Sequence, residues 1–274
     1  MDIQNYIDKL ARSWPLCKPL IRRILDTLNL PAGSSGLDVG CGLGHQTLLL
    51  SETVGPDGRI TGVDIRPEFL DVAKQLAADA GQTKRLNFRT GDMNALPFAD
   101  NTFDWVWSAD CAGYAPCDPP TLMRELIRVI RPGGRLFLVI YAGQQLLSGH
   151  PLLEAKLNAT AAGIAPFSAG RPPEDHWIRA TGWFRDAGLE EICTRTFTHD
   201  VTAPLESDIR DALADLIDMR WTGAQNEVDN ATWTAFQLLG DPESPDCVLD
   251  RPDYHAWFAY TLYAGRLPDP SQSS

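Results

Sequence analysis

The residues best placed to bind a ligand form the stretch Asp38-Val39-Gly40-Cys41-Gly42-Leu43-Gly44, in which three alternate glycines follow a carboxylate. Glycine adopts backbone conformations that other residues avoid, and it leaves no side chain between the backbone and a ligand. A buried strand pattern begins at Gly36, and an apolar helical pattern begins at Gln46. The unpaired N–H groups of a helix start would add hydrogen-bond donors. A strand, a glycine turn and a helix in this order form the ligand-binding corner of an open α/β sheet.

A second carboxylate, Asp64, ends the next strand pattern, Arg59–Asp64, 20 residues beyond Gly44. This spacing suits a carboxylate that accepts hydrogen bonds from both ribose hydroxyls of a nucleoside. The structural alternatives for Asp64 are a solvated carboxylate at a strand end or a cap of the following helix, for which Pro67 stands at a plausible first helical position.

The glycine turn departs from the dinucleotide fingerprint Gly-x-Gly-x-x-Gly, in which the third glycine lets the helix pack closely on the strand. Counted from Gly40, the third position holds His45, and counted from Gly42 it holds Thr47. An NAD(P)-dependent oxidoreductase is therefore an alternative hypothesis that the residues disfavour.

The acidic residue before Gly-x-Gly-x-Gly resembles the first motif of the class I S-adenosylmethionine (SAM)-dependent methyltransferases. Two later runs extend the resemblance: Gly91-Asp92-Met93-x-x-Leu96-Pro97-Phe98, and Leu126-x-x-Val129-Ile130-Arg131-Pro132-Gly133-Gly134. The last run is typical of the ubiquinone- and menaquinone-biosynthesis-like branch. With Asp64, four motifs lie in the family's order over residues 36–140.

The resemblance implies that SAM is the cofactor. It implies that Asp64 accepts from the ribose and Asp92 from the adenine amino group, while Met93 contacts the adenine ring. The alternative for Met93 is a residue that fills the core. The other predicted cofactor-binding residues are Asp38, Gly40, Cys41, Gly42, Gly44, Ile65 and Ser108.

Methyl transfer from a sulfonium requires alignment, exclusion of water and sometimes a base, so it needs no catalytic triad. By resemblance, residues 108–114 form the loop that faces the methyl group. Tyr114 in this loop and His150 are the predicted catalytic residues, because either side chain can position an acceptor or remove its proton. Packing and surface exposure are their respective structural alternatives. Cys111 makes an arsenite-type methyltransferase a minor alternative, disfavoured because no clear set of partner thiols accompanies it.

Composition indicates the kind of substrate. The formal net charge is −12, and no run of Lys and Arg exceeds two residues, which disfavours nucleic acid as a partner. The loop also lacks the Asn/Asp-Pro-Pro-Tyr clamp of many enzymes that methylate bases and proteins. We therefore expect a small-molecule substrate. We expect no metal, because no His/Cys/Asp cluster has ligand spacing.

The chain begins without a signal-peptide pattern, and its longest apolar stretch, near residues 136–142, has the length of a strand. We therefore expect a cytoplasmic protein with no membrane span and with six free cysteines. The residues set no expectation for the oligomeric state.

These patterns predict a Rossmann-like class I methyltransferase fold: a seven-stranded, mostly parallel sheet with an antiparallel last strand and helical cap insertions. Both insertions follow strands at the carboxyl edge, so we expect them to cover the ligand crevice. A non-catalytic SAM-binding protein is a further alternative, which so large a cap disfavours. The predicted segments are two N-terminal helices (1–30), a SAM-binding core (31–143), a cap insertion (144–175), the continued core (176–202), a helical cap insertion (203–250), a final core strand (251–267) and a disordered tail (268–274).

Overall fold

The computed structural model describes residues 2–114, 117–164 and 172–272. The strands are β1 (Ser35–Val39), β2 (Arg59–Asp64), β3 (Leu86–Thr90), β4 (Phe103–Ala109), β5 (Ile130–Gln145), β6 (Glu190–Thr202) and β7 (His255–Arg266). The helices are α1 (Ile3–Leu25), α2 (His45–Thr53), α3 (Pro67–Asp79), α4 (Pro119–Arg128), α5 (Pro151–Asn158), α6 (Ala161–Ile164), α7 (Ala180–Asp186), α8 (Ser207–Trp221) and α9 (Asn230–Gly240).

The strands form one sheet in the order β3-β2-β1-β4-β5-β7-β6. Neighbours from β3 to β5 are parallel. On β6 and β7, the Thr196 hydroxyl bonds that of Thr261 at 2.9 Å, and Glu191 pairs with Arg266, so residue numbers rise along one strand and fall along the other. The predicted seven-stranded, mostly parallel sheet with an antiparallel last strand is confirmed.

Close packing at the centre of the sheet explains one of the sequence's small residues. Gly36 on β1 lies beside the indole of Trp105 on β4, and a Cβ at Gly36 would lie only 2.0 Å from that ring. The Trp105 indole is buried, and its Nε1 donates to Ser34 Oγ at 2.9 Å. A larger residue at position 36 would therefore clash with the Trp105 ring. The hydrogen bond to Ser34 allows the polar N–H of this indole to be buried.

The chain divides into two compact units. The sheet unit comprises Ile21–Tyr141, Pro172–Phe197 and Tyr260–Ser274. The inserted unit comprises Met1–Leu20, Ala142–Arg171 and Thr198–Ala259, and thus contains most of both predicted cap segments. That these segments cover the ligand crevice stays a prediction.

Side-chain contacts, one buried and one exposed, connect three helices of the inserted unit. The buried indole of Trp221 on α8 donates from Nε1 to Asn158 Oδ1 at 3.1 Å. Arg12 on α1 makes two hydrogen bonds to the Asp215 carboxylate, of 2.7 and 3.2 Å. These contacts join α1, α5 and α8 within the unit.

The prediction of two N-terminal helices separated at Pro15 and Pro19 is wrong, because α1 runs through both prolines. An interior proline removes a backbone hydrogen bond and costs about 3 kcal/mol or more. Four side chains on the same helix are nevertheless almost fully buried, and each adds about 1.5–3 kcal/mol of burial; they are Leu16, Leu20, Ile21 and Ile24. Tertiary packing therefore outweighs the local helix-breaking signal.

Other predicted boundaries also moved. Strand β5 continues to Gln145, past the predicted end of the SAM-binding core at residue 143, and the continued core begins with a short 3₁₀ turn followed by α7. In the predicted disordered tail, Pro270–Gln272 form a 3₁₀ turn, whereas residues 273 and 274 lie outside the described residues. Within the described parts of the chain, no helix combines the length and the apolar character needed to cross a bilayer.

Candidate cofactor-binding site

The glycine turn between β1 and α2 requires all three glycines, for different reasons. Gly40, Gly42 and Gly44 have φ angles of 75°, 51° and 81°, in the left-handed region that side chains disfavour. A Cβ at Gly40 would lie 2.2 Å from the sulfur of Cys111, and one at Gly44 would lie 2.8 Å from Ala73 Cβ. A Cβ at Gly42 would meet no atom within 4 Å. The middle glycine therefore faces open space, as a ligand cradle requires.

Asp64 is attached to this turn. Its Oδ2 accepts from the Gly42 N–H at 3.0 Å, and its Oδ1 accepts from the Arg66 N–H at 3.0 Å. The carboxylate is partly exposed, and each oxygen has a further lone pair for a ligand hydroxyl. Helix α3 begins at Pro67 with Arg66 as its N-cap, so the alternative of a capping role for Asp64 is wrong.

Three more predicted residues lie at the same edge of the sheet. Ile65 follows Asp64 and is 65% exposed. Asp64 on β2 pairs with Thr90 on β3, which places the exposed Asp92 nearby. Met93 is partly buried against the hydrophobic core, as its structural alternative expects. The edge thus offers a carboxylate and an exposed apolar side chain beside the glycine turn.

Asp38 and Cys41 face the interior of the sheet unit. Only 2% of Asp38 is exposed, and its Oδ2 accepts from Thr47 Oγ1 at 2.6 Å. Burial raises the pKa of Asp38 to about 7. Burial also raises the pKa of the Cys41 thiol, which therefore stays protonated. These two side chains pack beneath the turn. They would affect ligand binding indirectly, by stabilising the backbone conformation of the turn.

Ser108 at the end of β4 is also buried, and it fixes the start of the following loop. Its Oγ donates to the Val39 carbonyl at 2.8 Å and accepts from the Ala112 N–H at 3.1 Å. Ser108 thereby connects the end of β1 to the loop 108–114, which lies against the glycine turn through Cys111.

The far end of this loop is held to β5 by two side chains. The Tyr141 N–H donates to Asp110 Oδ1 at 2.8 Å, and the Tyr114 hydroxyl donates to the Tyr141 carbonyl at 3.3 Å. Asp110 has a φ of 49°, an unfavourable conformation for a residue other than glycine. Sequence reasoning included Tyr114 but missed Asp110, whose only signal was an acidic residue directly after β4.

Cys111 gives little support to the arsenite-type alternative. Burial raises the pKa of its thiol to about 12, whereas a nucleophilic or metal-binding cysteine needs its thiolate. In the part of the chain that the structure describes, no group of three His, Cys, Asp or Glu side chains is placed to bind a metal ion.

His150, the second predicted catalytic residue, belongs to the inserted unit, whereas Tyr114 belongs to the sheet unit. His150 is the N-cap residue of α5, and its side chain makes no capping bond. Its catalytic role stays a prediction.

Comparison with known proteins agrees with this geometry. The family model described as a methyltransferase domain matches residues 37–138. A demethylmenaquinone methyltransferase from Staphylococcus aureus is 36% identical over 193 residues, which cover 66% of this chain and 78% of that protein.

Two solved structures show the fold. A SAM-dependent methyltransferase from Aquifex aeolicus has a TM-score of 0.53 at 18% identity, and the match covers 97% of this chain and 99% of that one. The [4+2]-cyclase SpnF has a TM-score of 0.55 at 23% identity, covering 90% of this chain and 82% of that one.

The sheet order and the glycine turn define a class I, Rossmann-like methyltransferase fold. The chain belongs to the SAM-dependent methyltransferases, in the branch that resembles the enzymes of ubiquinone and menaquinone biosynthesis. Its cofactor is SAM. Membership of this family makes the alternative of an NAD(P)-dependent oxidoreductase wrong.

Proposed function

We propose that this protein transfers the methyl group of SAM in line to a small-molecule acceptor. The observation that carries the proposal is the glycine turn, in which the open Gly42 donates its N–H to the Asp64 carboxylate. SAM supplies an activated methyl group when bound. The chain must therefore hold the cofactor, align the acceptor and exclude water.

The ribose and the adenine of the cofactor have candidate partners at this edge of the sheet. Asp64 would accept hydrogen bonds from the ribose hydroxyls, and Asp92 from the adenine amino group. Ile65 and Met93 would contact the adenine ring, to which Ile65 offers an exposed apolar side chain. Asp38, Cys41 and Ser108 would act indirectly, because their buried side chains hold the turn and the neighbouring loop.

On the acceptor side, the loop 108–114 is the proposed wall beside the reacting groups. The hydrogen bonds of Asp110 and Tyr114 to β5 would keep this loop rigid. A rigid loop would help to align the acceptor with the methyl group. Tyr114 would position the acceptor, and His150 would serve as a base for an acceptor that loses a proton. The net charge of −12 favours a small molecule over nucleic acid.

Titration calorimetry with S-adenosylhomocysteine tests the cofactor site directly. We expect micromolar binding by the wild type, and binding at least about tenfold weaker in Asp64→Ala, because charge-assisted hydrogen bonds to the ribose contribute about 1.5–3 kcal/mol. Asp71→Ala is the matched control, since Asp71 lies exposed on α3 and pairs with Lys74.

A folded wild type that does not bind S-adenosylhomocysteine would contradict the proposal. Where binding holds, methyl-labelled SAM is supplied with phenols, hydroquinones, thiols and amines. The name of the S. aureus relative makes a hydroquinone the first acceptor to test. Label transfer to none of these classes would favour the non-catalytic SAM-binding alternative.

A further inference from the structure

Arg128, the last residue of α4, is hydrogen-bonded to the loop of residues 91–100, which follows β3. Its Nη1 donates to the Phe98 carbonyl at 2.8 Å, and its Nη2 donates to the Leu96 carbonyl at 3.0 Å. Nη1 also donates to Asp100 Oδ1 at 2.7 Å. One guanidinium group therefore holds the loop at three positions, which its planar arrangement of N–H donors allows.

Glu125, one turn earlier on α4, completes this connection. Its carboxylate accepts from Arg128 Nε at 2.9 Å and from Nη2 at 2.7 Å, and its Oε1 also accepts from the Leu96 N–H at 2.6 Å. The hydrogen bond from Arg128 lowers the pKa of Glu125, so the carboxylate is charged at neutral pH. The exposed side-chain fraction is 28% for Arg128 and 16% for Glu125, so solvent screens this pair less than it screens a surface ion pair.

The loop that this pair holds folds back onto the residues predicted to contact adenine. The Ala95 N–H donates to the Asp92 carbonyl at 3.1 Å, which closes a turn. Pro97 packs against Gly91, where an added Cβ would lie 2.8 Å from Pro97 Cδ. Pro97 lies between the two residues whose carbonyls Arg128 binds, and Gly91 directly precedes Asp92. The position of Asp92 therefore depends on where the pair holds the far end of the loop.

The carboxylate of Asp92 is itself oriented by its neighbour in the loop. Its Oδ1 accepts from the backbone N–H of Asn94 at 2.9 Å and from the Asn94 side-chain Nδ2 at 2.8 Å. Both donors bind the same oxygen, and Asp92 is exposed, so Oδ2 is open to a donor from a ligand. A carboxylate placed in this way can select a ligand by its N–H groups only while the loop keeps its position, because hydrogen bonds weaken steeply with misalignment.

We propose that Glu125 and Arg128 are positioning residues that hold Asp92 where it accepts from the adenine amino group of SAM, and that they thereby determine selectivity for adenine. The inference rests on the proposed role of Asp92 and adds the cause of its placement. Both residues act through the loop, because their side chains bind its backbone carbonyl and N–H groups.

Two ligands that differ by one amino group test this inference: S-adenosylhomocysteine and its purine analogue, in which a hydrogen atom replaces the amino group of adenine. Titration calorimetry measures the affinity of each for the wild type, Arg128→Ala and Asp92→Ala. We expect the wild type to prefer S-adenosylhomocysteine about tenfold or more, as a hydrogen bond to a charged acceptor implies. The preference should fall below about threefold in Arg128→Ala and disappear in Asp92→Ala. In the double variant, Arg128→Ala should have no further effect on the preference.

A role in stability alone would lower the melting temperature without changing the preference between the two ligands. Thermal unfolding of each variant therefore accompanies the titrations. Arg131→Ala is the matched control, because Arg131 pairs with Asp104 and makes no hydrogen bond to the loop, all of which the structure describes. Glu125→Ala removes the same connection from the other side and should reduce the preference as Arg128→Ala does. If Arg128→Ala does not fold, Arg128→Lys replaces it, since a lysine keeps the charge and lacks the planar set of donors.

A folded Arg128 variant that keeps the wild-type preference would overturn the inference, as would a preference that falls equally in Arg131→Ala. A wild type that binds both ligands equally would refute the role of Asp92 on which the inference rests. These outcomes differ from a failure of the proposed function, in which the folded wild type does not bind S-adenosylhomocysteine.

Discussion

The two units each bury one carboxylate to the same extent but surround it differently. Asp38 in the sheet unit and Glu154 in the inserted unit are both 2% exposed. Asp38 accepts one side-chain hydrogen bond, from Thr47. Glu154 accepts from the backbone N–H groups of Leu146 and Leu147 and from the side chain of Gln145, at 2.6 to 3.0 Å.

Burial raises the pKa of both carboxyl groups, and the hydrogen bonds oppose this effect. Because Glu154 accepts from two backbone N–H groups that would otherwise be buried and unpaired, its removal destabilises the fold directly. Asp38 has a single donor and lies behind the glycine turn, so its protonation state affects the fold mainly through the cost of burying a charge. The two carboxylates therefore differ in role. Glu154 accepts the hydrogen bonds that its surroundings need, whereas Asp38 makes the stability of the protein depend on pH.

The largest expected effect is that of Glu154→Ala. The change leaves two buried backbone donors and the half-buried Gln145 amide without an acceptor, and we expect it to destabilise the protein by about 3–5 kcal/mol. Urea unfolding followed by circular dichroism measures this loss. Glu243→Ala, at an exposed position, is the control and should change stability by less than about 0.5 kcal/mol. A loss below about 1 kcal/mol in Glu154→Ala would show that the three donors find other partners.

Local signals explain what the sequence predicts well. The second strand occupies Arg59–Asp64 as expected, because its apolar pattern is bounded by a turn on one side and by Pro67 on the other. The glycine turn is equally local: alternate glycines between a strand and a helix impose the left-handed backbone by themselves. The position of Asp64 follows from these two elements, since parallel strands place their carboxyl ends at one edge.

What the sequence does not predict depends on distant contacts. The prolines of α1 indicate a break, and only the burial of residues such as Leu20 and Ile24 keeps the helix continuous. Strand β5 extends past its apolar run, where Gly143 lies beside Trp257 of β7. Thr47 supports Asp38 across nine residues, and this contact needs the turn to be folded before it can be recognised.

A smaller effect, and a test of the second half of the comparison, is the pH dependence due to Asp38. Its folded pKa of about 7 exceeds the unfolded value of 3.8, so its contribution to stability is complete below pH 4 and is lost as pH rises through 7. We expect about 2–3 kcal/mol of stability to be lost between pH 5 and 8 on this account. Asp38→Asn removes the titrating group. Between pH 5 and 8, the variant should therefore lose about 2–3 kcal/mol less stability than the wild type.

Urea unfolding of the wild type and Asp38→Asn at pH 5 and pH 8 measures this difference. Glu154 is present in both proteins, so its contribution to the pH dependence cancels in the comparison. Asp71→Asn serves as the control because Asp71 is exposed. Parallel pH profiles for the wild type and Asp38→Asn would show that Asp38 keeps its ordinary pKa, and the contrast with Glu154 would then fail.

The smallest effect concerns the hydrogen bond that Thr47 donates to Asp38. Thr47→Val keeps the shape of the side chain and removes the hydroxyl that bonds Asp38 Oδ2. At pH 8, where the carboxylate is charged, we expect a loss of about 1.5–3 kcal/mol, and at pH 5, where it is mostly protonated, only about 0.5–1.5 kcal/mol. The pKa of Asp38 should rise further, because the hydroxyl favours the charged form.

In the Asp38→Asn background, Thr47→Val should cost about 0.5–1.5 kcal/mol at both pH 5 and pH 8, because no charge is present at position 38. A double-mutant cycle at pH 8 therefore measures the charge-dependent part of this contact. A cycle with no coupling at pH 8 would mean that Thr47 contributes through packing alone. The glycine turn would then be stabilised by the hydrogen bond between Gly42 and Asp64, and not by a charged Asp38.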